Sequence, residues 1–360
     1  GNILRLIGDE TAADAHARSL DLTRKAVHLD GANVNWRDLL AEMLTEAAES
    51  ARERGLYDLA RPLYHEAMQV ADSLTLTYPK SGNYQRTKAR ALYNLADCCM
   101  ESGQDLAKAK PFLDASLSIM KPFADSDQPG RTDRLEVIMV LNVLGTLLNG
   151  AEGSPEAAEP LRESIQRADA LLAADTGNPD LRFLRSAAQH ELGRSLSSTD
   201  PTAALPHLND AVRTFQQLTQ ESPVMHAYDL PEAQSFLSRG VCLIRIHQED
   251  AGRDDLLKAR ERLKGLLESS PTHPLYCQTQ ASILTELADL SLARGNVAEA
   301  RDLTSQVAKL HQTAIQSTPD HPKNSSISRK MGELLRRLEA NVNADSDQQA
   351  ARPKEDSDSH

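Results

Sequence analysis

Aromatic residues are scarce in this chain: one Trp, seven Tyr and five Phe make up 4% of 360 residues. Sheet sandwiches and barrels draw on aromatic and β-branched side chains, so the scarcity argues against an all-β fold. Glycine and proline stand at 17 each, too few for collagen or for a long flexible linker. A basic excess is also missing. Forty Lys and Arg face 52 Asp and Glu, for a net charge of −12, which disfavours a nucleic-acid partner. No apolar run reaches the length that spans a membrane, so no membrane insertion is expected. The cysteines are only Cys98, Cys99, Cys242 and Cys277. They form no CxxC pair and no zinc spacing, so a reducing, cytoplasmic setting fits and no metal or cofactor is expected. The chain opens on Gly1 rather than Met, which points to a fragment or processed product with any upstream signal out of view.

Periodicity is the strongest feature present. Small residues recur at Ala48, Ala96, Gly145, Gly193, Gly240 and Ala288, spaced 48, 49, 48, 47 and 48 apart. Most follow an apolar residue: Ala47, Leu95, Leu144, Leu192 and Leu287, with Arg239 the exception. Gly55, Gly103 and Gly295 lie seven residues further on, and Gly8 shares their phase. A 4-then-3 set follows in each unit: Ala60, Tyr64, Ala67; Ala109, Leu113, Ser116; Ala157, Leu161, Ser164; Ala204, Leu208, Ala211; Ala300, Thr304, Val307. That spacing places three side chains on one helical face. The fifth unit fits least well. Its Ala259, Leu263, Leu266 set comes late, which predicts a longer loop around Gln248–Gly252.

Pro79, Pro129, Pro179, Pro223, Pro271 and Pro319 recur in a third register and are expected to close each unit. Each unit therefore reads as two antiparallel helices, A and B, of about 30 Å. Residues 1–30 hold the end of one A helix and a whole B helix. Six pairs then span about 33–80, 83–129, 131–179, 180–223, 226–271 and 274–319, before a terminal amphipathic helix over 322–341. The repeat domain is thus 1–341, about seven helix pairs with a capping helix. Residues 342–360 read as a disordered polar tail.

This pattern resembles the tetratricopeptide repeat family. The first full unit carries the resemblance through Ala48, Gly55, Tyr57, Ala60, Tyr64, Ala67 and Pro79, and the sixth through Leu287, Ala288, Gly295, Val297, Ala300 and Pro319. It covers about 320 of the 360 residues. The family's usual period is about 34, so both helices here should be longer. The family's frequent helix A tryptophan is absent, and Trp36, ahead of helix A, is expected to pack on the preceding unit. Arrays of such long units look similar to those appended to bacterial serine/threonine protein kinases. The resemblance implies an all-α fold: an α/α superhelix, a right-handed solenoid of antiparallel pairs. It also implies a non-catalytic scaffold that binds a peptide, helix or domain in its concave groove, with self-association as an alternative. By analogy the inward residues are Arg90, Tyr93, Asn94 and Asp97; Asn142, Val143 and Thr146; His190, Glu191 and Arg194; and Thr285, Glu286 and Asp289. Arg90 and Asn94 resemble part of a clamp for a C-terminal carboxylate. At 8–10 Å between neighbouring helices, seven pairs should extend on the order of 70 Å.

Catalytic signatures are weak. His65-Glu66 and His190-Glu191 begin HExxH strings, but Gln69 and Arg194 take the final place. No phosphate-binding loop, nucleophile elbow or kinase catalytic loop is present. An enzyme on an α/α scaffold would need inward Asp97, His190, Glu191 and Asp289 to meet. Units two apart place Asp97 and His190 about 20 Å from each other. The four cysteines read as buried free thiols. Asn324-Ser325-Ser326 matches a glycosylation sequon.

Overall fold

The computed structural model describes residues 11–222 and 226–350, with side chains placed from Ala13 through Asn341. Fourteen α-helices follow one another among these residues, with no strand between them. They are α1 Thr11–Leu29, α2 Val34–Glu53, α3 Tyr57–Thr77, α4 Gly82–Ser102, α5 Leu106–Ala124, α6 Arg131–Asn149 and α7 Ala158–Leu172. Then come α8 Pro179–Ser197, α9 Pro201–Glu221, α10 Asp229–Arg245, α11 Glu249–Ser269, α12 Pro274–Ala293, α13 Val297–Ser317 and α14 Pro322–Ala350. The fold is an all-α superhelix of antiparallel pairs. The A helices are α2, α4, α6, α8, α10 and α12; each pairs with the B helix that follows it. Gly8 and Pro223 lie outside the described residues.

Helix starts use local chemistry. Asn33 caps α2 by accepting from the Asn35 and Trp36 amides at 3.1 and 3.4 Å. Asp200 caps α9 by accepting from Ala203 N at 2.9 Å, with Pro201 in the first turn. Pro179 does not close a unit as the spacing predicts. It opens α8, where its missing N–H would have had no helical partner. Trp36 lies inside the first turn of α2 rather than ahead of the helix, and is 40% exposed. The last helix runs to Ala350, past the boundary at 341 read from the sequence. Extending an existing helix adds a hydrogen bond per residue without a new nucleus, which carries the weakly patterned Asn-Ala-Asp-Ser segment along. The remainder of the expected tail, 351–360, lies outside the described residues.

All six recurrent small residues are buried, and so is every 4-then-3 set. In the third unit a Cβ on Gly145 would stand 2.5 Å from Leu161 Cγ; on Gly193 it would stand 2.5 Å from Leu208 Cγ. The small residue of helix A thus seats the large central residue of helix B. In the fifth unit no longer loop exists. Helix α10 ends at Arg245 and α11 starts at Glu249. The buried set there is Gly252, Leu256, Ala259, one helical heptad earlier than the sequence reading placed it. Gly252 falls 48 residues after Ala204 and 48 before Ala300. A glycine in an alanine slot hid the register.

Each helix packs on the next, and each A helix also touches the following A helix. No comparable contact joins successive B helices. Closer packing on the A side than on the B side curves the stack around the A layer. The curvature brings sequence-distant units together. His273 at the start of α12 meets the Glu53 carbonyl at 3.0 Å. A Cβ on Gly55 would sit 2.7 Å from Pro274 Cδ, and one on Gly103 would sit 2.5 Å from the His321 backbone nitrogen. Ser326 donates to Glu152 at 3.1 Å, and Arg329 of α14 pairs with the same carboxylate. The superhelical array therefore closes on itself along a seam.

Candidate functional site

Five A helices, α4, α6, α8, α10 and α12, face a shared lumen, and the first turns of α14 border it. The resulting cavity measures about 720 Å³. Its walls come from α4, α6, α8, α10 and α12, from the loop after α6 and from the first turns of α14. Four of the eight groove residues read from the sequence line it: Asp97, Thr146, His190 and Arg194. The other four do not. Arg90 pairs with Glu136 at 2.5 Å. Tyr93 is packed against the core, where burial followed by the nearby Asp97 raises its phenol. Asn94 is buried, and its Nδ2 has no acceptor. Asn142 is buried, donating to Leu184 O at 2.8 Å and accepting from Ser164 at 2.5 Å. Of the other inward residues, Glu191, Thr285 and Glu286 line the cavity. Asp289 instead pairs with Arg337 of α14.

Charge in the lumen is largely internally matched. Arg52 bridges Asp97 at 3.1 Å and Glu101 at 2.7 Å. Burial raises the Glu101 carboxyl to about 7 despite Arg52, and Asp97 adds to the rise. Arg194 holds Glu191 at 2.8 Å and also donates to the Gly150 carbonyl at 2.9 Å. Burial pushes the Glu191 carboxyl up, but Arg194 and the hydrogen bonds from His190 and Asn149 more than reverse this and hold it well below the usual range. Lys330 meets Glu286 at 2.6 Å, and Arg329 meets Glu152. Lys323 stands apart. It is half-buried and makes no hydrogen bond or ion pair through its ammonium with any described residue. Burial lowers it to about 8, with Arg194 adding to the fall and Glu191 and Glu101 opposing it.

One chain of contacts has a catalytic look. His190 Nε2 lies 2.9 Å from Ser238 Oγ, and His190 Nδ1 lies 3.4 Å from Glu191. Asp97 and His190 line the same cavity. Sequence reading missed Ser238, Glu101 and Lys323. One signal for Lys323 was present: a lysine in the first turn after Pro322 opposes the positive end of the helix dipole, an unfavourable placement that needs a reason. Asn324, in the sequon, is buried and donates to the Thr318 carbonyl, so it is closed to modification in this fold. All four cysteines are buried and free, and burial pushes the Cys98 thiol up to about 12 and the Cys99 and Cys277 thiols to about 11.

No protein-family model matches the chain, and no curated protein matches it. Solved structures similar to it include one described as a nuclear import adaptor, Nro1, the hypoxic regulator of sterol synthesis. It shows 12% identity, covers 87% of this chain and 97% of its own, and has a TM-score of 0.39. The human IFIT1 dimer with PPP-AAAA shows 17% identity, 92% and 72% coverage and a TM-score of 0.30. The Cut9–Hcn1 hetero-tetramer of the APC/C shows 10% identity, 91% and 86% coverage and a TM-score of 0.21. At such scores the architecture rests on the chain's own helices. No described helix is long and apolar enough to cross a membrane.

Proposed function

We propose that this protein is a non-catalytic interaction scaffold that takes a short segment of a protein partner into its lumen. The observation that carries the reading is the cavity itself. Its volume of about 720 Å³ falls inside the range of ligand sites, roughly 300–1,000 Å³. Its wall mixes apolar side chains such as Leu230, Leu237 and Val241 with polar Gln234, Thr279 and Ser282. Such a surface can grip a side chain and orient a backbone. The resemblance to long-unit repeat arrays beside bacterial kinases adds a finer suggestion, a recruiting or regulatory segment of a larger signalling protein. A photo-crosslinking amino acid at Gln234, in the lumen, should capture the partner. The same group at Leu76, 83% exposed on the outer layer, should not. Equal capture at both positions would remove the lumen from the account.

A second reading, an enzyme on this scaffold, is favoured by the Ser238–His190–Glu191 chain. Two features oppose it. Glu191 is already engaged by Arg194 and Asn149. Ser238 sits in mid-helix, so its own amide is committed to the helix and offers no oxyanion donor. A fluorophosphonate probe decides: labelling of wild type that is lost in both Ser238→Ala and His190→Gln would establish a nucleophile.

A further inference from the structure

Five cations line the lumen: Arg194, Arg245, Lys323, Arg329 and Lys330. Three are held by carboxylates, as described above. Arg245, exposed at the rim, donates to the Ser197 carbonyl and hydroxyl at 2.8 and 2.9 Å. Lys323 is the cation left without a contact among the described residues, and it stands where its charge is least welcome. It lies at the positive end of a 29-residue helix, with Arg194 close enough to act on it. Half-buried ammonium groups without partners are costly, so an anion arriving from outside would relieve this one. The same geometry is that of an anion site, since a helix N-terminus and a lysine face one volume.

Charge decides which anion. Glu101 and Glu191 act on Lys323 at longer range, and Asp97, Glu152 and Glu286 share the wall. A dianion would meet more repulsion there than a monoanion. Apolar side chains decide what carries it. Leu230, Leu237 and Val241 form one stripe of α10, and Leu147 and Ile327 join them.

We propose that the lumen binds a carboxylate carried on an apolar body, with the acid seated on Lys323 at the start of α14. This rests on the lumen being a docking site, and it names what the docked group presents. Two sources share that chemistry, a free carboxylic acid and the C-terminus of a peptide. Calorimetry on the full chain at pH 6.5 separates them with hexanoate against hexanamide, and acetyl-Ala-Ala-Leu acid against its C-terminal amide. The acid of at least one pair should bind at least about tenfold tighter than its amide; the pair that does so names the source. Lys323→Gln should erase that preference and Lys323→Arg should keep it. Affinity should fall as pH rises from 7 to 9. Lys323 loses its proton near 8, Glu101 of α4 gains charge near 7, and Glu191 of α8, paired with Arg194, stays charged throughout.

Equal binding of acid and amide, absence of binding by all four probes, or an unchanged preference in Lys323→Gln would overturn the proposal. Leu237→Glu, with helicity checked by circular dichroism, tells the two levels apart. If the unmutated chain binds acid and amide equally and Leu237→Glu blocks both, the carboxylate subsite falls while the lumen stands. If it leaves acid, amide and partner crosslinking at Gln234 all unchanged, the lumen reading falls too.

Discussion

Arg239 and Asp255 stand in the fifth unit where the sixth has Leu287 and Leu303, each 48 residues on. The two charged residues form a bidentate pair, with contacts of 2.6 and 2.9 Å, and Asp255 is only 3% exposed. The exception to the apolar rule in helix A is therefore answered by a matching exception in helix B. Removing Arg239 strands the buried Asp255 carboxylate, so Arg239→Ala should cost on the order of 3–5 kcal/mol in urea unfolding. The double change Arg239→Leu with Asp255→Leu should recover most of that loss. His247 is a second single-residue matter. It occupies the left-handed position (φ 62°) that Gly103 and Gly295 hold in other units. A side chain there costs about 1–2 kcal/mol, and glycine's extra chain entropy offsets part of it. His247 is exposed, so His247→Gly should stabilise by about 0.5–1 kcal/mol, read as a rise in thermal midpoint.

At the scale of elements, the 48-residue period appears as contacts as well as positions. Arg52–Glu101, Arg86–Asp133, His190–Ser238 and Lys330–Glu286 all join neighbouring A-layer helices at separations of 44–49. The small-residue slots set how closely A and B approach within a unit. Gly252 is the extreme case, because a Cβ there would lie 2.7 Å from the Gly240 carbonyl oxygen. Backbone cannot swing aside, so Gly252→Ala should destabilise α10–α11 by about 1–3 kcal/mol even though alanine favours helix. Gly265, on the exposed side of the same helix, has nothing within 4 Å of a built Cβ. Gly265→Ala should stabilise by about 1 kcal/mol. Opposite signs from one helix, in parallel urea titrations, test the corrected register directly.

At the scale of the molecule, the seam decides shape. Gly103 and Gly295 both have left-handed backbones (φ 76° and 80°), but only Gly103 lies against another segment, the His321 backbone. Alanine pays the same conformational penalty at each site. The excess loss of stability in Gly103→Ala over Gly295→Ala therefore reports the seam, and small-angle scattering should show expansion in Gly103→Ala alone. Acid should also loosen the seam. Burial lowers His273 to about 4 and His321 to about 3 from 6.5; Glu53's carbonyl opposes the fall for His273, and Lys323 adds to it for His321. The unfolded chain takes up these protons first, so their contribution is complete above about 6.5 and shrinks as pH falls toward 4. Glu101 runs the other way. Raised to about 7 from 4.5, it is protonated first in the folded state and adds stability as pH falls through that range. Two histidines, His273 shifted as far as Glu101 and His321 further, outweigh one carboxylate. The melting temperature should drop between about pH 6 and 4, and less steeply in His273→Gln.

The helix pairs, most of their boundaries and most of the buried faces were legible in the amino-acid order because they rest on local periodicity. Small residues, 4-then-3 sets and capping chemistry all act within about 50 neighbours along the chain. The fifth unit's true register was legible too, once Gly252 is admitted to the alanine slot. Curvature was not, because it comes from many small inequalities between A-layer and B-layer packing summed over six pairs. Closure follows only from that sum. It sets His273 against Glu53, 220 residues away, and brings Lys323 within electrostatic reach of Glu101 and Glu191. The inner position of Thr146, His190 and Arg194 could be read from repeat phase. The lone ammonium, the enclosed volume and the seam around it belong to tertiary structure, since no local rule relates the start of the last helix to the middle of the second unit.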